Sequence, residues 1–325
     1  MTEARRCTRF AAIAAALGLL ASACAGSPVS TAGSDPSVRS PMSTSTATAS
    51  GMPHLLVLGD GVDGGLGLWT FEAPDRWTAL APLAAPTGIA RFGDRVAIAN
   101  RGSVELRPAG TPAAAGTALP MKWPAQPPTA PIVALAQSPN GNVVMATADG
   151  ESQGYWLVAA DGSVEPLQPA PTQSFTPLVA WLDDSRLLVL TTDKEQVSRL
   201  AIVDVAARTI EPAPVLAGIR VFGVSQDRRH LSVATATSVY AGPVEAFLGT
   251  GQPAVVATVD PSAVVWGLGL DDTGTRLAML TGTVAADGLV TSIREIGYER
   301  GPAAWAKAFD SPAPFGKATD QVWMP

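Results

Sequence analysis

The chain has 325 residues, 47% of them hydrophobic and 15% charged, with a formal net charge of −6. An acidic balance with so few lysines (Lys122, Lys194, Lys307, Lys317) excludes the basic footprint that nucleic acid or an anionic lipid surface would require. Beyond the N-terminal region, no stretch approaches the about 18 uninterrupted apolar residues of a spanning helix.

In chain order, Arg5, Arg6 and Arg9 precede an apolar run from Phe10 to Ala23. At about 14 residues it matches a signal-peptide core and falls short of a membrane span. It ends Leu19-Leu20-Ala21-Ser22-Ala23-Cys24 and gives way to Ser, Thr, Pro, Gly and Ala. That order resembles a bacterial lipoprotein signal, although Ala21 stands where a branched apolar residue is commoner. The resemblance implies that residues 1–23 are removed, that Cys24 is lipidated with palmitate-type chains, and that the protein sits on the extracytoplasmic face of the cell membrane. Loss of 1–23 leaves 19 basic and 27 acidic residues and removes Cys7. With Cys24 acylated, no disulfide and no thiol chemistry is expected. Residues 24–53 then form the lipidated Cys and a tether too poor in large apolar groups to fold. Some 30 residues of such chain span about 30 Å.

From His54 to the C-terminus one theme repeats. Polar turns lead into apolar segments at Gly93-Asp94-Arg95, Asn140-Gly141-Asn142, Asp184-Ser185-Arg186, Asp227-Arg228-Arg229 and Thr273-Gly274-Thr275-Arg276. The apolar anchors Val96, Val143, Leu187, Leu231 and Leu277 are 47, 44, 44 and 46 residues apart. Segments such as Val143–Thr147 and Leu187–Leu190 are short, apolar or β-branched, and bounded by turn formers, which predicts strands. Four strands per period of this length predict a β-propeller. Leu55–Leu80 reads against Val143–Leu167, with Leu68-Trp69 opposite Tyr155-Trp156, so the N-terminal piece supplies the last three strands of a blade. Phe315–Met324 supplies the missing first strand. The expected fold is thus an all-β, six-bladed propeller over 54–325, with four-stranded blades and 1+3 closure by the termini. The uninterrupted blades are expected near 87–131, 132–176, 177–219, 220–262 and 263–313. A β-sandwich is the competing fold, disfavoured by the regular spacing.

With its turn rhythm and weak Asp-Gly motifs, this region resembles the extracytoplasmic TolB-like and YncE-like propellers, particularly those found as actinobacterial lipoproteins. The WD dipeptide, the kelch glycine pairs and the YWTD motif are missing.

The candidate chemistry is sparse. His54 and His230 have no ligand partner at metal spacing and read as exposed turn residues. Asp183-Asp184 and Asp271-Asp272 fall between the first two strands of their blades, where carboxylates accept backbone hydrogen bonds. Asp60-Gly61-Val62-Asp63-Gly64-Gly65 lacks the distal Glu of a calcium loop. No phosphate loop that follows a strand and opens a helix is found. Trp181, Trp266 and Trp323 fall on predicted first strands, where they either meet a ligand in the channel or pack between blades. Arg220, at the start of another, would face a channel mouth. These four are the candidate ligand contacts. No catalytic, cofactor-binding or metal residue is assigned.

The reading that follows is a lipid-anchored envelope propeller serving as a protein-interaction scaffold or ligand-binding module. It is held to the membrane by its acyl chains and faces an envelope protein as partner. The alternative is a propeller enzyme, a hydrolase, lyase or dehydrogenase acting on a sugar or lactone in the channel. Its acids would be drawn from Asp60, Asp149, Asp161 and Asp193.

Overall fold

A computed structural model describes residues 54–324, with interruptions at 61–64, 74–75, 84, 125–126, 150–151, 168–174, 196, 250, 272–273, 275, 286–287, 299–304 and 313–317. The signal peptide, Cys24 and the tether expected over 1–53 lie outside the described residues.

The chain opens with a meander of β1 (His54–Asp60), β2 (Leu66–Ala73) and β3 (Arg76–Leu83). Blade II comprises β4 (Gly88–Phe92), β5 (Arg95–Asn100), β6 (Ser103–Pro108) and the two-residue β7 (Thr117–Ala118). Blade III comprises β8 (Ile132–Gln137), β9 (Val143–Asp149), β10 (Ser152–Val158) and β11 (Val164–Pro166). Blade IV comprises β12 (Phe175–Trp181), β13 (Arg186–Thr192), β14 (Ser198–Asp204) and β15 (Thr209–Pro212). Blade V comprises β16 (Val221–Val224), β17 (His230–Ala234), β18 (Ser238–Pro243) and β19 (Ala254–Thr258), with a five-residue helix α1 (Val244–Leu248) before its last strand. Blade VI comprises β20 (Ala263–Leu270), β21 (Arg276–Ala285), β22 (Gly288–Tyr298) and β23 (Trp305–Pro312). The final strand, β24 (Ala318–Met324), returns to pair antiparallel with β1, placing Trp323 opposite Leu55 and Gln321 opposite Val57. Blade I is therefore β24-β1-β2-β3, and the described strands form six four-stranded sheets. Blade boundaries and closure follow the repeat read from the sequence.

Second strands are apolar on both sides because each blade is sandwiched between two others. In β13 the burial is continuous: Leu187 and Val189 face blade III, while Leu188 and Leu190 face blade V. In β5, Val96 and Ile98 face blade I, and Ala97 and Ala99 face blade III. Third strands alternate, as in β6 with Val104 and Leu106 buried. Fourth strands are mostly exposed, as in β15 and β19. One apolar cluster fills each junction between neighbouring blades, including VI–I and I–II, so the closure blade is packed on both faces. Each fully buried Leu in these junctions contributes about 1.5–3 kcal/mol of transfer free energy. The helix α1, which no sequence pattern announces, buries Val244 and Phe247 in the IV–V junction.

Candidate functional site

Antiparallel pairing within every blade sorts the connections. Turns between first and second strands lie on one face of the ring, and turns between second and third strands lie on the other. On the axis the inner strands bound a cavity of about 220 Å³. Leu178 and Phe222 supply apolar wall, Gln137, Ser225 and Gln226 supply polar groups, and Arg91 and Arg228 are its charges. No Asp, Glu or His is found among its described lining residues. Gln137 and Trp181 end their strands and Ser225–Arg228 form a first turn, so the cavity lies toward the first-turn face.

Arg228 dominates this mouth. It sits in the turn from β16 to β17, where Ser225 N–H donates to His230 O at 3.0 Å and Arg228 N–H donates to Ser225 O at 2.9 Å. Its φ is 60°, a left-handed value that few side chains adopt. One guanidinium nitrogen donates to Gln226 O at 3.2 Å, and the other donates to Gln137 O at 2.8 Å. The second bond joins blade V to blade III across the end of blade IV. Burial lowers the Arg228 pKa from its ordinary value, and the negative charge of Asp184 partly opposes this. Arg91, on β4, donates through Nε to Gly93 O at 3.0 Å.

The residues singled out from the sequence are dispersed. Trp181 does reach the cavity wall, but its ring is 2% exposed in the III–IV junction and its Nε1 donates to Ala136 O at 3.1 Å. Trp266 lies at a register shift between Val265 and Gly267, and such a bulge re-aims a side chain. Its ring packs against the VI–I cluster of Leu55, Val57, Trp69 and Phe71. Trp323 lies on β24 as expected, with its side chain outside the described part. Arg220 is exposed beside the first residue of β16, at the end of the strand remote from the first turn. It is Arg228, not singled out in the sequence, that the fold brings to the cavity.

The acids do not converge. Asp60, Asp149 and Asp193 lie at second-to-third connections, whereas Asp161 lies in a third-to-fourth turn on the opposite face. The pooled set proposed for an enzyme is therefore split between the two faces of the ring. Asp161 accepts from Ser163 N–H and Oγ, and Asp193 accepts from Glu195 and Val197 N–H. Asp183 accepts from Ser185 and Arg186, whereas Asp184 accepts from Asn140 N–H of the neighbouring turn at 2.9 Å. Burial alone would raise the Asp183 pKa. The hydrogen bonds from Ser185 and Arg186 outweigh it and bring the value down to about 2. Asp271 is buried and accepts from Arg276 N–H, while Asp272 lies outside the described residues. His230 is not the exposed turn residue expected: it opens β17, is half-buried, and holds Nδ1 at 3.8 Å from Asp227 Oδ1. Among the described residues no cluster of three metal-ligating side chains occurs, and no helix is long and apolar enough to cross a membrane.

No family profile matches the chain, and no curated protein does so either. Solved structures do resemble it. TolB from Acinetobacter baumannii aligns over 84% of this chain at a TM-score of 0.57 and 10% identity, the chain spanning 66% of that protein, just under two thirds of its length. A TolB candidate from Agrobacterium tumefaciens aligns over 84% of this chain and 98% of its own, at 0.52 and 10% identity. The β-propeller domain of Cps50 (Swd1) from Myceliophteria thermophila aligns over 83% and 87%, at 0.51 and 16% identity. At such low identity the likeness to the TolB structures and to the Cps50 domain is one of fold: the chain is a β-propeller.

Proposed function

We propose that the protein is a lipid-anchored β-propeller of the cell envelope, acting as a binding module whose ligand enters at the first-turn mouth of the channel. The observation that carries this is the cavity itself, bounded by the inner strands with the Arg228 guanidinium held across its opening. Such a concave site, part apolar wall and part converging polar groups, is what small-ligand recognition needs. Catalysis by paired carboxylates finds less support, because the loop acids lie on both faces and two of them, Asp161 and Asp193, accept turn hydrogen bonds. The anchor rests on the order of residues from Arg5 to Cys24, and the Ser/Thr-rich tether would hold the ring clear of the lipid.

The test is a photo-crosslinking residue placed in intact cells at Gln226, by the cavity, or at exposed Ser103, on the opposite rim. An adduct at position 226 that is absent at position 103, and that disappears in Cys24→Ala along with fatty-acid labelling, is the expected result. Equal labelling at both positions, or at neither, would count against a ligand at this mouth.

A further inference from the structure

The turn of blade V departs from its counterparts at one position. In blade III, Gly141 N–H donates to Ser138 O at 3.1 Å with φ of 92°, and in blade VI, Gly274 N–H donates to Asp271 O at 3.1 Å with φ of 68°. Arg228 occupies that position in blade V, making the same bond to Ser225 O. A side chain at positive φ carries a steric penalty that glycine escapes, and such outliers concentrate at functional sites. The consequence here is directional, since the guanidinium extends to Gln137 O, 91 positions away in sequence.

Both of its acceptors, Gln137 O and Gln226 O, are neutral carbonyls. Among the described residues no carboxylate lies within ion-pair distance of it. A guanidinium carries five N–H donors in a planar fork, so these bonds leave donors over, and its charge is met only from a distance, by Asp184. The cavity beside it is smaller than a drug-sized site, which is about 300 Å³ or more, and Leu178 and Phe222 form part of its wall. Inorganic phosphate would leave that wall exposed to water, whereas a short hydrocarbon body would cover it.

We infer that the channel mouth is a binding site for a small organic carboxylate, its carboxylate on the Arg228 fork and its short apolar body against Leu178 and Phe222. This rests on the binding reading above and gives it a ligand class.

Sodium butyrate is the probe, titrated at constant ionic strength into the full chain purified in detergent, with chloride and inorganic phosphate as parallel arms. Calorimetry and thermal unfolding report the result. Saturable binding of butyrate with a rise in Tm is expected, weakened at least about tenfold in Kd by Arg228→Gly and unchanged by Arg220→Ala; a tenfold change is about 1.4 kcal/mol. Arg228→Gly places glycine where Gly141 and Gly274 already stand, so folding is expected to survive. Arg228→Lys, which keeps the charge and loses the fork, serves as the second variant and should bind more weakly than wild type. Phosphate binding without butyrate binding, butyrate no better than chloride, or full affinity in Arg228→Gly would each overturn the carboxylate site. If butyrate fails while a neutral molecule is captured at position 226 in cells, the ligand class falls and the binding module stands. Failure of both experiments removes both.

Discussion

In blade III the chain turns through Ser138-Pro139-Asn140-Gly141, and in blade V through Ser225-Gln226-Asp227-Arg228. The two turns share their scaffolding. Each opening serine donates its hydroxyl to the Asx carboxyl or amide oxygen two residues on, and each fourth residue returns its N–H to the serine carbonyl. Each Asx oxygen also accepts from the residue two positions further on, Asn142 or Arg229. Beyond Pro139 against Gln226 and Asn140 against Asp227, they part at the fourth residue, where blade III has no side chain and blade V has a long, charged one. The backbone can therefore hold this turn without Arg228. What the arginine adds is reach toward the axis. Blade IV offers a third solution: none of its turn residues 182–185 has positive φ, and Asp183 gathers the Ser185 and Arg186 donors instead.

The comparison is broken most severely at Gly274. A Cβ there would overlap the His230 ring and its Cβ, close to the backbone of the neighbouring turn, in addition to standing at φ of 68°. Gly274→Ala is expected to lose about 2–4 kcal/mol, the left-handed penalty plus overpacking against blade V, read from urea unfolding. Gly141 has the same backbone need with open space around it. Gly141→Ala should therefore lose only about 1–2 kcal/mol. Equal losses at the two sites would show that the His230 contact yields freely and that strain alone sets the effect.

Much of this architecture is legible in the residues because it is local. Hairpin turns need Asp, Asn and Gly at fixed offsets from an apolar strand, and those offsets repeat. The pairing of the N-terminal piece with blade III extends to side-chain detail: Trp69 Nε1 donates to Asp60 O, and Trp156 Nε1 donates to Thr147 Oγ1, each reaching nine residues back across its blade. The aim of Trp266 was not legible, because a bulge at that residue decides it. Nor was the Trp181 bond to Ala136, which spans 45 residues and depends on how neighbouring blades stack. Arg228 left a readable trace: with the turns aligned, its column holds Gly141 and Gly274. An arginine where glycine is the physical default is a question the sequence poses, and only the curvature of the ring answers it.

Blade IV sharpens the comparison through pH. The folded pKa of Asp183, about 2, lies below the about 3.9 of an unfolded chain. Its ionised form thus favours folding above pH 4, and that contribution is lost as pH falls from about 4 to about 2. Because the side chain is 39% exposed, the effect is expected to stay below about 1 kcal/mol. Asp183→Asn should flatten this part of the acid limb in urea midpoints measured from pH 5 to 2. An unchanged slope would mean that the turn holds its shape without the carboxylate, as the glycine turns do.

The smallest expected effect on stability is at Arg228 itself. Replacing it with glycine relieves a left-handed side chain, worth about 1–2 kcal/mol. It also frees the unfolded chain by about 0.4–1 kcal/mol and removes two bonds to carbonyls, of net value about 0.5–1.5 kcal/mol each. Because the guanidinium is half-buried without an ion pair, part of that last loss is returned as the desolvation of a charge disappears. The opposing contributions leave Arg228→Gly within about 1 kcal/mol of wild type in urea unfolding. A loss beyond about 3 kcal/mol would identify the bond to Gln137 as a strut between blades III and V, retained for the ring rather than for a ligand. Near-neutrality would mean that the bonds of Arg228 do no more than offset its strain at φ of 60°. What then sets Arg228 apart from Gly141 and Gly274 is the charge it delivers to the channel mouth.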